Sequence, residues 1–258
     1  MKLSIRATID YQFDEPTDVL LQLEAAKIAE QAIEAEKLEL PDCQHFARVP
    51  AQDCIGNRIW LRVEGNLKVD YRATVLVNRL LTDCRTLEIV PQHQLPGETV
   101  QYLFSSRYCP SDRFHSFAHR EFGHIEGGRR IIEMRDWIRD HLAYTPGSSD
   151  AETTAADTFI SREGICRDFA HLLITFARAA GVPARIASVY ALGVDPPDFH
   201  AVAEVFLGGE WHLLDATGMA REAGMAKIGV GRDAADVAFL TAFGEATLND
   251  QSVLVELA

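Results

Sequence analysis

The stretch GICRDFAHLLITFARAAGVP, residues 164–183, decides how the chain is read. From Cys166 onward, Phe169, Leu172, Leu173, Phe176, Ala177 and Ala180 recur at three- and four-residue steps, which predicts one apolar face of an amphipathic helix. Gly181 is placed to cap it in a left-handed conformation, and Pro183 forbids its continuation. At the other end, Gly164 permits a tight entry, so Cys166 sits where a loop gives way to a helix. First-turn amides have no partner inside a helix and would face Cys166 and any oxyanion formed beside it. Asp168 adds a favourable charge to that first turn, although Arg167 and Asp168 also fit the pattern of ordinary surface charges. Taken alone, Cys166 is better read as a buried structural thiol at a helix start.

A second segment changes that balance. His200–Leu207 and Glu210–Asp215 are strand-like runs separated by Gly208-Gly209, the signal of a two-residue hairpin turn. With that turn, Leu207 faces Glu210 and Val202 faces Asp215, so His200 and Asp215 project from one side as diagonal neighbours roughly 7–8 Å apart at the backbone. A bulge or a longer turn would break this parity. A thiol at a helix start, an imidazole and a carboxylate follow one another in the order Cys166, His200, Asp215. In such a set Asp orients His and His takes the thiol proton, the arrangement of a cysteine acyl-transfer enzyme.

The blocks GICRDFAHLLITFARAAGVPARIASVYAL and DFHAVAEVFLGGEWHLLDATG closely resemble the core of bacterial transglutaminase-like proteins, a branch of the papain-like cysteine enzymes. The resemblance covers roughly residues 110–240. It implies Cys166 as nucleophile, His200 as general base and acid, and Asp215 as the residue that orients His200. Family members include protein cross-linkers, peptidases and amidases, and some have lost their catalytic residues, whereas all three positions are filled here. Three positions depart from the common pattern. Arg167 stands where the family often has Gln, Val202 where it often has Trp, and Ala216 where it often has Pro.

Two function classes follow. The first is a thiol hydrolase or acyl transferase acting on peptide or amide bonds, with hydrolysis favoured over protein cross-linking because water is always present. The second is a binding module that keeps the fold without catalysis. The implied partner is a peptide or protein substrate. The net charge of −13 argues against a nucleic-acid or anionic-membrane partner, because both need clustered Lys and Arg. Cysteines 43, 54, 84, 109 and 166 are odd in number and form no CxxC pair, which fits neither a disulfide framework nor a zinc ribbon. With no signal peptide and no run able to span a bilayer, a cytoplasmic location is expected.

The expected fold is α+β, an N-terminal antiparallel β-sandwich over residues 1–107 followed by a papain-like, transglutaminase-like catalytic core over residues 108–258. Leu3, Ile5, Ala7 and Ile9 alternate with polar residues. Ile59–Val63 and Leu67–Val77 read as strands joined by a hairpin at Glu64-Gly65-Asn66. Residues 24–39 remain open between strand and short helix. Ser105–Asp112 is expected as an exposed linker. Beyond it a helix is predicted over Gly128–Leu142, a short helix over Asp233–Leu240, and a closing strand at Val253–Leu257. The N-terminal part also resembles, less specifically, the β-rich domain that precedes the catalytic core in bacterial transglutaminase-like proteins. No cofactor is implied. His115, His119 and His124 lack the Cys or carboxylate spacing of zinc sites, so no metal is expected. His171 and His212 are read as packing residues.

Overall fold

The computed structural model describes residues 1–258 and shows an α+β fold built on two principal antiparallel sheets. Four strands open the chain: β1 (Lys2–Leu21), β2 (Gln31–Glu39), β3 (His45–Pro50) and β4 (Asn57–Val77). Their alternation follows from burial on one face, where Leu3, Ile5, Ala7 and Ile9 are at most 2 % exposed. Of segment 24–39, open in the sequence, only residues 31–39 become a strand, β2, which pairs with β4 and exposes its charged side chains.

The hairpin expected at Glu64-Gly65-Asn66 is not a hairpin. β4 continues unbroken through it, with Gly65 at φ +81°. Phe13 pairs with Gly65 and Thr17 with Val63, so Asp14, Glu15 and Pro16 bulge opposite Glu64 alone. The extra residues bend both long strands, and the glycine supplies the left-handed geometry that the bend needs. The strands expected to form a sandwich therefore share one six-stranded hydrogen-bonded network.

The second half is helical before it returns to sheet. It contains α1 (His115–Phe122), α2 (Gly127–His141), β5 (Ala143–Tyr144), α3 (Ala155–Ser161), β6 (Glu163–Gly164) and α4 (Cys166–Ala179). The strands β7 (Ala184–Ala191), β8 (His200–Leu207), β9 (Glu210–Leu214) and β10 (Met225–Gly231) form the second sheet in the order β10-β7-β8-β9. α4 ends as its sequence predicts. Gly181, at φ +75°, donates to Arg178 O, and Val182 donates to Ala177 O, the paired bonds of a Schellman cap. Phe169, Leu172, Leu173 and Phe176 are at most 3 % exposed against α2 and β8, each burial contributing roughly 1.5–3 kcal/mol.

Two features depart from a simple division at residue 107. The last strands, β11 (Leu240–Ala242) and β12 (Thr247–Leu257), pair with β1, so the C-terminus completes the first sheet. The region expected as a short helix, 233–240, holds only a single 3-10 turn at Ala234–Asp236 before β11. The stretch expected as an exposed linker is tied down as well. Cys109 is fully buried, Tyr108 N donates to Asp233 Oδ2 at 3.0 Å, and the buried Arg178 guanidinium donates to Phe104 O and Ser106 Oγ at 3.0 Å each. Ser and Pro spell an exposed connection in sequence, but here the backbone polar groups find their partners inside the protein.

Candidate active site

Cys166 is the first residue of α4. Its entry is held by Asp168, which is fully buried rather than a surface charge and accepts from Ile165 N at 2.9 Å through Oδ2. A Cβ on Gly164 would lie 2.7 Å from Asp168 Cβ, so glycine is needed to let the loop pass this close. Arg167 donates to Ser149 Oγ at 3.2 Å and Asp150 O at 2.7 Å, fastening the loop before α3 to the start of α4.

The hairpin turn is the predicted one. Gly208 and Gly209 have φ of +61° and +93°, Leu207 pairs with Glu210, and Ala203 pairs with Leu214. This register puts His200 and Asp215 on one side, where His200 Nε2 donates to Asp215 Oδ2 at 3.0 Å. Thr217 N and Oγ1 donate to the other carboxylate oxygen at 2.8 and 2.7 Å, and Ala220 N donates to Oδ2 at 2.9 Å. Burial alone would raise the Asp215 carboxyl; the bonds from His200, Thr217 and Ala220 outweigh it and leave the group below its ordinary value.

With Nε2 engaged, His200 Nδ1 is buried without a hydrogen-bond partner and is the nitrogen left for the thiol. Cys166 Sγ lies near enough to influence the ring, while its own contact is to Phe199 O at 4.0 Å. Burial pulls the imidazole down, while the Asp215 bond and the Cys166 sulfur push it up, and the sum is a His200 raised to about 9. The structure thus brings Cys166, His200 and Asp215 to one place.

Burial pushes Cys109 up to about 12 and Cys84 to about 11, which keeps both as thiols, while Cys54 is exposed. His212 accepts no role beside His200, since it pairs with Val205 on the opposite face. His171 is buried, stacks on Tyr108 at 5.2 Å and accepts from Ala234 N; burial pulls it down to about 3, so it stays neutral. His115 bonds Ala179 O at 2.9 Å, and no group of three or more His, Cys, Asp or Glu side chains is placed to hold a metal ion.

Tyr144 pairs with Gly164 in the short β5–β6 bridge, and its phenol comes beside the Cys166 sulfur and backbone amide. Burial, then the neighbouring Cys166 sulfur, pushes it up to about 12, so it remains a hydroxyl at neutral pH. Nothing in local periodicity marks it, because its position depends on a bridge between residues 20 apart. A cleft of about 710 Å³ opens at Cys166, His200 and Tyr144 and runs inward between the two sheets.

The site is thus a thiol at a helix start with an imidazole nearby that a carboxylate beyond the adjoining hairpin holds. A sequence model of the transglutaminase-like superfamily matches residues 123–216. The crystal structure of a proposed cysteine protease from Cytophaga hutchinsonii is similar over 99 % of this chain and 90 % of its own, with 36 % identity and a TM-score of 0.94. The chain belongs to the transglutaminase-like superfamily. An uncharacterized protein of Mycobacterium leprae is 28 % identical over 141 residues, 51 % of this chain and 50 % of its own length. One from Mycobacterium tuberculosis is 36 % identical over 123 residues, 42 % of this chain and 39 % of its own. The chain thus spans half or less of these curated relatives.

Proposed function

We propose that the protein is a thiol-dependent hydrolase of peptide or amide bonds that works through a Cys166–His200–Asp215 triad. The observation that carries this reading is the division of labour on one imidazole, with Nε2 fixed by Asp215 and Nδ1 left for Cys166. Cys166 Sγ attacks the amide carbonyl carbon, a C–S bond forms, and the carbonyl electrons move onto oxygen. The thiol proton, taken by His200, passes to the departing amine as the C–N bond breaks. His200 then takes a proton from water, hydroxide attacks the acyl carbon, and the C–S bond breaks to return Cys166 and release a carboxylic acid.

The Cys166 amide at the helix start is one donor to the oxyanion, and the Tyr144 hydroxyl, which lines the same cleft as Cys166, is the second. The cysteine-protease description of the Cytophaga structure supports the same class of reaction. The experiment is turnover of an unstructured protein in water enriched in ¹⁸O, with a fluorescent primary amine present. Hydrolysis puts ¹⁸O into new carboxyl termini and is the expected result. Incorporation of the amine instead would assign transamidation, and neither product, with intact Cys166, would leave the binding-module reading.

A further inference from the structure

The inner end of the Cys166 cleft is lined by two polar groups that nothing in the protein satisfies. Gln22 is only 2 % exposed, yet its Nε2 has no partner, and the buried Ser188 Oγ has none either. The Gln22 orientation is fixed, because its Oε1 accepts from Arg58 Nε at 3.2 Å. A guanidinium can only donate, so turning the amide over would set donor against donor. Its backbone N donates to Phe239 O at 2.9 Å, which anchors the residue from behind.

The sequence keeps this place open. Gly229 pairs with Ser188 across β7 and β10, and a Cβ there would lie 1.9 Å from Gln22 Nε2. Only glycine leaves room for the amide to sit beside Ser188. Around the two polar groups the walls are apolar, formed by Ile186, Ile228, Leu240 and Phe239, the last stacked on Phe199 at 4.6 Å. A buried donor without an acceptor is costly, so a site of this shape favours whatever brings the missing acceptor.

We propose that this end of the cleft is a substrate side-chain subsite that selects a hydrogen-bond acceptor oxygen carried at the tip of an otherwise apolar side chain. The inference rests on the thiol acyl-transfer reading of Cys166. Gln22 Nε2 only donates and Ser188 Oγ can donate, so a carboxamide or carboxylate oxygen satisfies both. An aliphatic tip of the same shape leaves both unsatisfied, and such sites discriminate steeply against a ligand that lacks the polar atom.

The test uses the full chain and peptidyl chloromethyl ketones of sequence Ala-Xaa and Xaa-Ala, with Xaa as Asn, Asp or its near-isostere Leu. Adduct formation at Cys166 is followed by mass spectrometry, and iodoacetamide serves as a reference for thiol reactivity without a side chain. At one of the two positions, Asn or Asp should label about 10-fold or more faster than Leu. In Ser188→Ala and, separately, Gln22→Met, that ratio should fall to within about twofold while the iodoacetamide rate holds. Leu labelling as fast as Asn and Asp at both positions, with normal iodoacetamide labelling, would overturn the subsite and leave the Cys166 assignment standing; the polar pair would then serve a bound water. Cys166 inert to every reagent would overturn both.

Discussion

His200 Nε2 meets Asp215 Oδ2 at 3.0 Å across a hairpin whose turn is fixed by two glycines of positive φ. The contact requires the two-residue turn, because one extra residue would send the Asp215 side chain to the other face. It also sets the charge of the imidazole. His200 is raised to about 9, so below that pH the imidazole is protonated, the state in which the proposed triad would give a proton to a leaving amine.

Turnover should therefore fall as pH rises through about 9. Asp215→Ala removes the largest of the stabilising contacts to His200, so the alkaline limb should move toward lower pH and kcat should drop by about 10²-fold or more. Linkage has a definite sign here. A raised folded-state pKa gives stability that is whole below the unfolded value near ~6.5 and is lost as pH rises through about 9. Denaturant midpoints of wild type and His200→Ala, compared at pH 6 and pH 10, should therefore converge at the higher pH. A gap that widened instead would reverse the assignment of charge.

Tyr144→Phe removes one hydroxyl beside the Cys166 amide. If that hydroxyl donates to the oxyanion, kcat should fall by about 10²-fold with KM little changed, because the bond is made mainly in the transition state. Alkylation of Cys166 by iodoacetamide forms no oxyanion and should keep its rate. Loss of both together would point to a disturbed helix start.

The sequence made much of this centre legible. Periodicity from Phe169 to Ala180, with Gly181 and Pro183, marks a helix of the right length, and Gly208-Gly209 sets a register that aligns His200 with Asp215. These are local signals, each contained in one element or one tight turn. Gly65 resembled a turn because a glycine between two apolar runs reads alike whether the chain reverses or bends; the deciding residues, Asp14 to Pro16, lie some fifty positions away. Asp168 looked like a surface charge because nothing local shows that Ile165 N needs an acceptor. Tyr144, Gln22 and Ser188 gain their meaning only from pairings that the fold creates, and so does the return of β12 to β1.

Glu204, fully buried on β8, accepts from Arg185 Nε at 2.6 Å and Lys227 Nζ at 2.5 Å. Those cations continue to Asp53 and Glu30, so the network joins the second sheet to the first half of the chain. Glu204→Ala would leave two buried cations short of a partner and should destabilise by about 3–5 kcal/mol, read from urea unfolding. Burial would raise the carboxyl, but Lys227 and Arg185 hold it down at about 2. Its depressed pKa gives stability present above the unfolded value near ~4.3 and lost as pH falls toward about 2. Wild type should therefore lose stability across that window more steeply than Glu204→Gln, which has no carboxylate to titrate.

Arg178 closes the packing behind α4. It is 2 % exposed, and its guanidinium donates to the carbonyls of Ala184, Phe104 and Arg232 and to Ser106 Oγ. Four directions need a planar fork of donors, which a lysine ammonium on a flexible stem does not reproduce. Arg178→Lys should cost about 2–4 kcal/mol, since several buried carbonyls lose their partner. The segment from Phe104 to Asp112 should then become the first site of proteolytic nicking, whereas in wild type it should resist digestion because its backbone is held from inside. Equal resistance in both proteins, with stability unchanged, would mean that Cys109 and Tyr108 pin the segment without help from the guanidinium.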